Sequence, residues 1–309
     1  MREGQATASA VWPGRRWARL RRAALGYVFI GPWLLAFLLF ELIPLVMAFV
    51  FSLTEYSVVG PMRWAGLANY WEMFTRDPLF WISLGNTVFY IVFAVPLGIA
   101  AAFTLALLLN QPVRGTALLR TLFYLPAVVP TVAASIVWLW IFDTRRGILN
   151  LPLIALGLEP IRWLSSPEWA KPALILMSLW GIGGSMVIYL AGLQGIPGEL
   201  YEAAAIDGAS AWQRLRFITI PLMTPTILFT LIMGIISSFQ VFNAAFIMTG
   251  GGPLNATLFY MLHIYNNAFS FFRMGYAAAM AVILFLLVLG LTAIIFGTSE
   301  RWVYYGGGK

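Results

Sequence analysis

The segment 195–222 concentrates acidic residues in a chain that has few of them. Only 10% of the 309 residues are charged, and 12 are Asp or Glu. Glu199, Glu202 and Asp207 all lie in this segment, on either side of three consecutive alanines. The two glutamates suit the first turns of a short helix, where the helix dipole attracts negative charge, and alanine has the highest helix propensity. The pattern therefore predicts a short helix with a small, polar surface.

The same segment continues with signals for a turn and a second helix. Gly208 follows Asp207 and predicts a helix stop, because glycine takes the left-handed conformation without a steric cost. Ser210 predicts the N-cap of the next helix, and Pro221 marks the entry to an apolar stretch. Such a helix–turn–helix can dock into a protein groove or lie on lipid headgroups. The alanine run offers no bulky apolar face for entering a bilayer, which modestly favours docking.

A second set of candidates combines hydroxyls, amides and aromatic rings within apolar stretches, as a sugar site requires. Buried amides in a membrane helix are costly unless they reach a cavity or a partner. Gln240 and Asn243 are three residues apart, which places them on one face of a continuous helix, with Ser237 one turn earlier. Hydrogen bonds to a neighbouring helix are a nearly equal alternative. The candidate substrate-pathway residues are Ser185, Tyr189, Ser237, Phe239, Gln240, Phe242 and Asn243.

Metal and redox chemistry have almost no candidate residues. The chain has no cysteine, which excludes disulfides, cysteine-ligated zinc, iron–sulfur clusters and thiol catalysis. His263 is the one histidine, and we expect it to be solvated in an external loop. Glu41 is the one carboxylate well inside an apolar stretch. A polar contact and a role in a proton relay are the two alternatives for its side chain. We therefore expect neither a metal site nor a catalytic site.

These residues must be positioned by helices in a membrane. The chain is 61% hydrophobic and 10% charged, whereas soluble domains carry about 25% charged residues. Because a helix crosses a bilayer with about 20 apolar residues, six stretches are long enough. They are predicted at 25–51, 83–109, 117–142, 172–193, 223–243 and 275–297. They lack the alternation of barrel strands, so the predicted fold is an all-α membrane protein with six transmembrane helices.

The distribution of Lys and Arg predicts the orientation. With the N-terminus inside, twelve of the 19 basic residues fall on the cytoplasmic side and seven fall outside. Because cytoplasmic segments carry the excess of Lys and Arg, both termini are expected in the cytoplasm. The net charge of +7 then records orientation in the lipid bilayer, and no nucleic acid partner is expected.

The segment 195–222 also carries a family resemblance. Glu202-Ala203-Ala204, Asp207-Gly208-Ala209 and Ile220-Pro221 resemble the EAA motif of permease subunits in binding-protein-dependent ABC importers. Each short match alone is weak, but the set is specific for the six-span, MalF-like member of a carbohydrate permease pair. The other matching segments are 86–87, 96–98, 120–126, 138–143, 147–150, 249–253, 268–269 and 275–279.

The resemblance implies a fold, partners and a mechanism. The fold is the type I ABC importer transmembrane domain, paired with a second, MalG-like permease subunit. Two cytoplasmic ATPase subunits bind ATP and Mg, and an extracytoplasmic sugar-binding protein delivers the solute. No cofactor and no enzymatic activity are expected on this chain, which contains no phosphate-binding loop. The implied ATPase-coupling residues are Glu202, Ala203, Ala204, Asp207, Gly208, Ala209 and Pro221.

The resemblance also divides the chain. It implies a basic cytoplasmic segment at 1–24, a transmembrane permease domain at 25–297 and a cytoplasmic tail at 298–309, in the cytoplasmic (inner) membrane of a prokaryote. The expected cargo is a sugar, an oligosaccharide such as a disaccharide, with a related solute such as glycerol-3-phosphate as the alternative. A stand-alone secondary transporter is less favoured, because the paired intramembrane charges and internal repeats that it predicts are not evident.

Overall fold

The computed structural model describes residues 27–57, 60–112 and 114–304, which are mostly helical. The predicted basic segment at 1–24 and the last five residues of the predicted tail lie outside the described residues. The helices are α1 (Tyr27–Ser52), α2 (Ala68–Thr75), α3 (Pro78–Leu109), α4 (Thr116–Val128), α5 (Thr131–Ile141), α6 (Leu151–Ala155), α7 (Pro167–Trp180), α8 (Gly183–Gln194), α9 (Gly198–Ile206), α10 (Ala211–Arg214), α11 (Ile220–Phe239), α12 (Asn243–Met248), α13 (Tyr260–Tyr265) and α14 (Met274–Ser299). Two short strands, β1 (Thr54–Glu55) and β2 (Arg63–Trp64), pair antiparallel.

The long helix α3 is the axis around which the other helices pack. It contacts α7, α8, α11 and α13. At 1.5 Å per residue its 32 residues span about 48 Å, which exceeds the hydrocarbon thickness of a bilayer. One core cluster surrounds its C-terminal end and includes Leu109, Leu193 and Met223. Another surrounds its N-terminal end and includes Phe80 and Tyr260. The two ends of α3 therefore lie at opposite faces of the molecule.

Membrane-spanning helices are evident, but the predicted count of six depends on two bent pairs. Among the described residues, four helices are long and apolar enough to cross a bilayer, and each bent pair could supply one more span. The four are Tyr27–Ser52, Pro78–Leu109, Ala211–Met248 and Met274–Ser299. The apolar window of α1 has no buried residue, as expected for a helix surrounded by lipid or by a partner.

The predicted span 117–142 is not a continuous helix. It bends by 100° between α4 and α5. Val129 is extended (ψ 127°) and Pro130 follows it with ψ 135°. The ring of a proline clashes with a helical conformation of the residue before it, so the helix ends there. The second bent pair, α7 and α8, breaks by 48° at 181–182, within the predicted span 172–193.

Close packing at the second bend depends on one of three glycines. A Cβ on Gly183 would lie 2.3 Å from the carbonyl oxygen of Phe123, so α8 approaches α4 through this residue. A Cβ on Gly184 would have nothing within 4 Å, and one on Gly181 would make an ordinary contact at 3.7 Å. Of these three glycines, Gly183 is therefore the one at which close helix packing excludes a side chain.

Two π-helical turns precede prolines. In Leu38–Leu42 the next residue, Ile43, donates its N–H to the carbonyl of Leu38, and Pro44 follows. In Leu215–Thr219 the backbone N–H of Ile220 reaches Leu215 in the same way, just before Pro221. A proline has no N–H to continue the ladder, and a wider turn accommodates its ring. The prolines therefore reshape these helices without ending them.

Candidate functional site

The helices α9 and α10 form the predicted helix–turn–helix. α9 begins after Pro197 and ends at Ile206, and Gly208 has a φ of +76°. The backbone N–H of Ala209 donates to the carbonyl of Ala204 at 2.8 Å, which closes the turn. Ser210 caps α10 reciprocally with Gln213. The sequence prediction of a stop at 207–208 and an N-cap at Ser210 is confirmed.

The coupling candidates face outward. Glu202, Ala203, Asp207 and Gly208 are exposed, and Ala204, Ala209 and Pro221 are partly exposed. Large apolar side chains stand beside them: Ile206 is 87% exposed, Trp212 66% and Phe217 69%. The segment therefore exposes more apolar side chains than the alanine run alone indicated.

The loop is tied to the start of α11 by hydroxyl groups. The phenol of Tyr201, on α9, and the hydroxyl of Thr219 are 2.9 Å apart, and Thr219 also donates to the carbonyl of Arg214. Thr219 is buried and ends the π turn before Pro221. These contacts join α9 directly to the segment that precedes α11. Sequence reasoning did not identify Tyr201, because its partner is 18 residues away.

A cleft of about 280 Å³ opens between α3, α7, α8 and α11. Two of the predicted substrate-pathway residues, Ser185 and Ser237, line it. None of the residues that line it carries a charge. The hydroxyl-bearing residues in its wall are Tyr90, Ser178, Ser185, Thr230, Ser237 and Ser238. Hydroxyls beside apolar surface are suited to an uncharged polyhydroxyl ligand.

Tyr189 and Phe239 contribute to packing between helices. The phenol of Tyr189 on α8 hydrogen-bonds to the hydroxyl of Thr230 on α11, and both residues are buried. Phe239 packs with Ile91 and Val95 of α3. For these two side chains the structure favours the helix-contact alternative. Thr230, which also lines the cleft, is a residue that sequence reasoning missed.

The expected shared face of Gln240 and Asn243 is wrong, because α11 ends at Phe239. Gln240 is the C-cap with φ −97° and ψ 12°, and α12 begins only at Asn243. Both polar side chains are exposed. Phe242 stacks on Phe246, with ring centroids 5.2 Å apart, and contacts Tyr265. The interruption at 240–242 therefore removes the helical spacing on which the expected shared face depends, and this aromatic cluster lies beside it.

The expectation that His263 is solvated in a loop is also wrong. His263 lies in α13 and is 3% exposed. Its Nε2 is 2.9 Å from Oδ2 of Asp77, which also accepts a hydrogen bond from the hydroxyl of Tyr276 at 2.6 Å. Asp77 caps α3 by accepting from the backbone N–H of Leu79 at 2.8 Å. One carboxylate thus joins α3, α13 and α14.

The environment of Asp77 favours its charged form. Burial raises the pKa of Asp77, but the hydrogen bonds from Tyr276 and His263, the charge interaction with His263 and the Leu79 amide outweigh it, so the pKa lies below its usual value. The ionised carboxylate therefore contributes stability that is present above the unfolded pKa of about 3.9 and is lost as the pH falls through the lower folded value. The dipeptide Asp77-Pro78 is an N-cap signal that the sequence did contain.

Comparison with known proteins identifies close relatives over most of the chain. A family model described as the binding-protein-dependent transport system inner membrane component matches residues 94–302. The probable ABC transporter permease protein YesP of Bacillus subtilis is 43% identical over 284 residues, covering 91% of this chain and 92% of that protein. The lactose transport system permease protein LacF of Rhizobium radiobacter is 39% identical and covers 89% of this chain and 94% of its own length.

A third relative is similar in sequence to this chain, and a solved structure has a similar fold. The trehalose/maltose transport system permease protein MalF of Thermococcus litoralis is 34% identical, covering 89% of this chain and 94% of that protein. A crystal structure of a bacterial ABC transporter involved in the import of the acidic polysaccharide alginate superposes with a TM-score of 0.82. It is 24% identical and covers 93% of this chain and 99% of its own, which shows a shared fold.

Proposed function

The chain belongs to the family of inner membrane components of binding-protein-dependent transport systems, and we propose that it is the pore-forming permease subunit of an ATP-driven sugar importer. The observation that carries this is the exposed helix–turn–helix of α9 and α10 in a multi-pass membrane protein whose relatives include permeases for lactose and for trehalose and maltose. The proposed cargo is an oligosaccharide such as a disaccharide. It enters the cytoplasm by alternating access.

The proposed topology has six spans, with α4–α5 and α7–α8 each crossing once, and both termini in the cytoplasm of a prokaryotic inner membrane. An even number of spans returns the chain to its starting side, and the excess of Lys and Arg assigns that side to the cytoplasm. The turn at Gly208 then faces the cytoplasm. Asp77, at the other end of α3, faces outward.

The proposed partners follow from this orientation. Two ATPase subunits, which bind ATP and Mg, lie beneath the pore, where α9 and α10 dock into a groove of an ATPase subunit, and a MalG-like permease completes the pore. A sugar-binding protein docks on the external face. Glu202 supplies polar contact to the ATPase, the alanines allow close approach, and Gly208 makes the turn. When the ATPases close, they push α9, and the Tyr201–Thr219 contact passes this movement to α11.

The cleft supports an uncharged sugar more than glycerol-3-phosphate. Its described lining offers hydroxyl groups and no Lys or Arg, whereas phosphate groups are commonly held by those side chains. We call the segment 195–222 the coupling loop. Because α11 forms one wall of the cleft and begins in this loop, movement of the helix would open and close the cleft. Ser185 and Ser237 are the proposed substrate contacts. The rest of the pathway would come from the second permease.

Reconstitution tests this proposal. The permease pair, the ATPases and the binding protein are placed in liposomes, and uptake of labelled lactose, trehalose and glycerol-3-phosphate is measured. We expect uptake of a neutral sugar that requires internal ATP and the binding protein. A catalytically inactive ATPase subunit is the matched control and should abolish it. Uptake driven by an ion gradient without ATP would instead establish the secondary-transporter alternative.

A further inference from the structure

A second cavity, of about 270 Å³, adjoins the cleft, and the proposed function does not use it. We call it the outer chamber. Pro126 and Ala127 of α4 line it together with Thr131 and Ala134 of α5, so both arms of the 100° bend contribute to its wall. Trp180, the last residue of α7, also lines it. The break in the predicted span 117–142 therefore places two short helices around a cavity.

The outer chamber and the cleft share part of their walls. Tyr90 of α3, Ser178 of α7, Gly181 and Val241 line both cavities, and we call these four residues the neck. Tyr90 is buried, whereas Gly181 is exposed. Apart from its chain neighbours, a Cβ on Gly181 would meet only the carbonyl oxygen of Ser178, at 3.7 Å. Open space therefore lies beside Gly181, where the two cavities meet.

The chain direction places the outer chamber on the external side of the cleft. From α7 into α8 the chain runs inward in the proposed topology, and it contributes residues of 174–181 to the outer chamber and of 178–185 to the cleft. Along α11 and beyond it the chain runs outward, and it contributes residues of 230–241 to the cleft and of 241–244 to the outer chamber. A solute that enters from outside would therefore meet the outer chamber, then the neck and then the cleft.

The outer chamber offers the same kinds of contact as the cleft. Thr131 is exposed, and Trp180 is 39% exposed. None of the described residues that line the chamber is charged. Hydroxyl groups beside an aromatic ring suit a neutral sugar, which needs both hydrogen bonds and apolar contact. Ligand pockets commonly occupy about 300–1,000 Å³, so each cavity alone lies just below this range and the two joined lie within it.

Glycine at position 181 is not required by the backbone or by packing. Its φ of −88° and ψ of 10° are accessible to other residues, and the open space beside it accommodates a Cβ. Gly183, two residues further on, differs because a Cβ there would lie 2.3 Å from the carbonyl oxygen of Phe123. A side chain at position 181 would therefore fill the neck without displacing a helix.

We propose that the outer chamber and the cleft form one binding site for a neutral sugar of at least two rings, with one ring in each cavity and the glycosidic linkage in the neck. Gly181 is then a specificity-determining residue, because a side chain there would occupy the space that the linkage needs. The proposal rests on the proposed importer function and adds to it the length of the cargo and the place of each ring.

Uptake by the reconstituted importer tests the role of Gly181. Gly181→Leu should lower ATP-dependent uptake of lactose and trehalose about tenfold, and Gly181→Ala should lower it less, because the smaller side chain fills less of the neck. Gly184→Leu is the matched control, since a Cβ on Gly184 has nothing within 4 Å and this residue lines neither cavity. The two leucine variants should have equal melting temperatures.

The outcomes separate this site from the importer function. Absence of ATP-dependent uptake by the unmodified importer would overturn the proposed function. Uptake by the unmodified importer, with equal uptake by the Gly181→Leu and Gly184→Leu importers, would overturn the two-cavity site alone.

Thiol labelling shows whether one sugar occupies both cavities. The chain has no cysteine, so Ala244→Cys places a single thiol in the wall of the outer chamber and Ser238→Cys places one in the wall of the cleft. In the complete importer, lactose or trehalose at about four times its Kd should slow labelling by a small, membrane-permeant thiol reagent about fivefold at both positions. Adding Gly181→Leu should remove this protection at the cleft position. Protection at one position only, or protection of both thiols that persists with Gly181→Leu, would overturn the proposal.

Discussion

The two ends of α3 hold their polar residues in opposite ways. Near its C-terminal end, the α9–α10 turn is exposed and closed by bonds between residues three to five positions apart, such as Ala209 to Ala204. At its N-terminal end, Asp77 is joined to His263 and Tyr276, which are 186 and 199 residues away in the chain. The first region is exposed and is where we propose that an ATPase subunit binds, whereas the second joins three helices. Substitutions at the α9–α10 turn should therefore lower transport, whereas substitutions at the Asp77 end should lower stability.

The largest effect is expected at the Asp77 end. A Cβ on Gly275 would lie 2.0 Å from the carbonyl oxygen of Thr54, and Gly275 donates its N–H to Tyr56. Gly275→Ala should lower the free energy of unfolding by about 3 kcal/mol, because backbone must shift to make room. Thermal unfolding of the purified complex measures this. Gly290→Ala in the same helix is the control, since a Cβ there has nothing within 4 Å. Equal melting temperatures for the two variants would show that this end is not tightly packed.

An intermediate effect is expected in the coupling loop, on transport and not on folding. Gly208 has a positive φ but open space around its Cα. Gly208→Val should strain the turn by about 1–2 kcal/mol and lower ATP-dependent uptake about tenfold, with membrane insertion unchanged. Gly208→Asn is the matched variant, because asparagine tolerates the left-handed conformation and should retain most uptake. Full uptake by the Gly208→Val variant would contradict the proposed role of this turn in transport, and with it the contrast between the two ends of α3.

The smallest effect on stability is expected at Trp212. Its side chain is 66% exposed, so Trp212→Ala should change the free energy of unfolding by no more than about 0.5 kcal/mol. Co-purification of the ATPase subunits with the permease should nevertheless fall, because we place this ring in the proposed docking surface. Trp71→Ala, which removes a ring of similar exposure (65%) from α2, should leave co-purification unchanged. A large loss of stability in Trp212→Ala would indicate that the loop has a structural role.

The sequence predicted what depends on local signals. The stop at Gly208, the cap at Ser210 and the long apolar helices follow from propensity, capping and hydrophobic length, all of which act within one turn or one helix. The bend at Pro130 also follows from a local signal, because a proline restricts the residue before it. The size of its angle does not, since hydrophobicity alone does not distinguish one straight helix from two bent ones.

What the sequence could not reveal depends on contacts between distant segments. His263 was expected to be solvated because the residues near it in the sequence do not indicate its contact with Asp77. Thr230 and Tyr90 line the cleft because α11 packs against α3 and α8, and the sequence alone does not show this packing. The spacing argument for Gln240 failed because α11 stops at Phe239, beside an aromatic cluster that includes Tyr265. Tertiary packing outweighed local periodicity at each of these positions.

The central claim is that the α9–α10 loop meets an ATPase in the cytoplasm while the Asp77 end faces outward. The chain has no cysteine, so single cysteines can be introduced at exposed sites without background. In cells that contain the whole importer, Ala203→Cys should form a cross-link to the ATPase through a reagent that joins a thiol to a lysine. Ala68→Cys should form no such cross-link but react with a membrane-impermeant thiol reagent added outside. Labelling of Ala203→Cys from outside, with no ATPase cross-link, would contradict the claim.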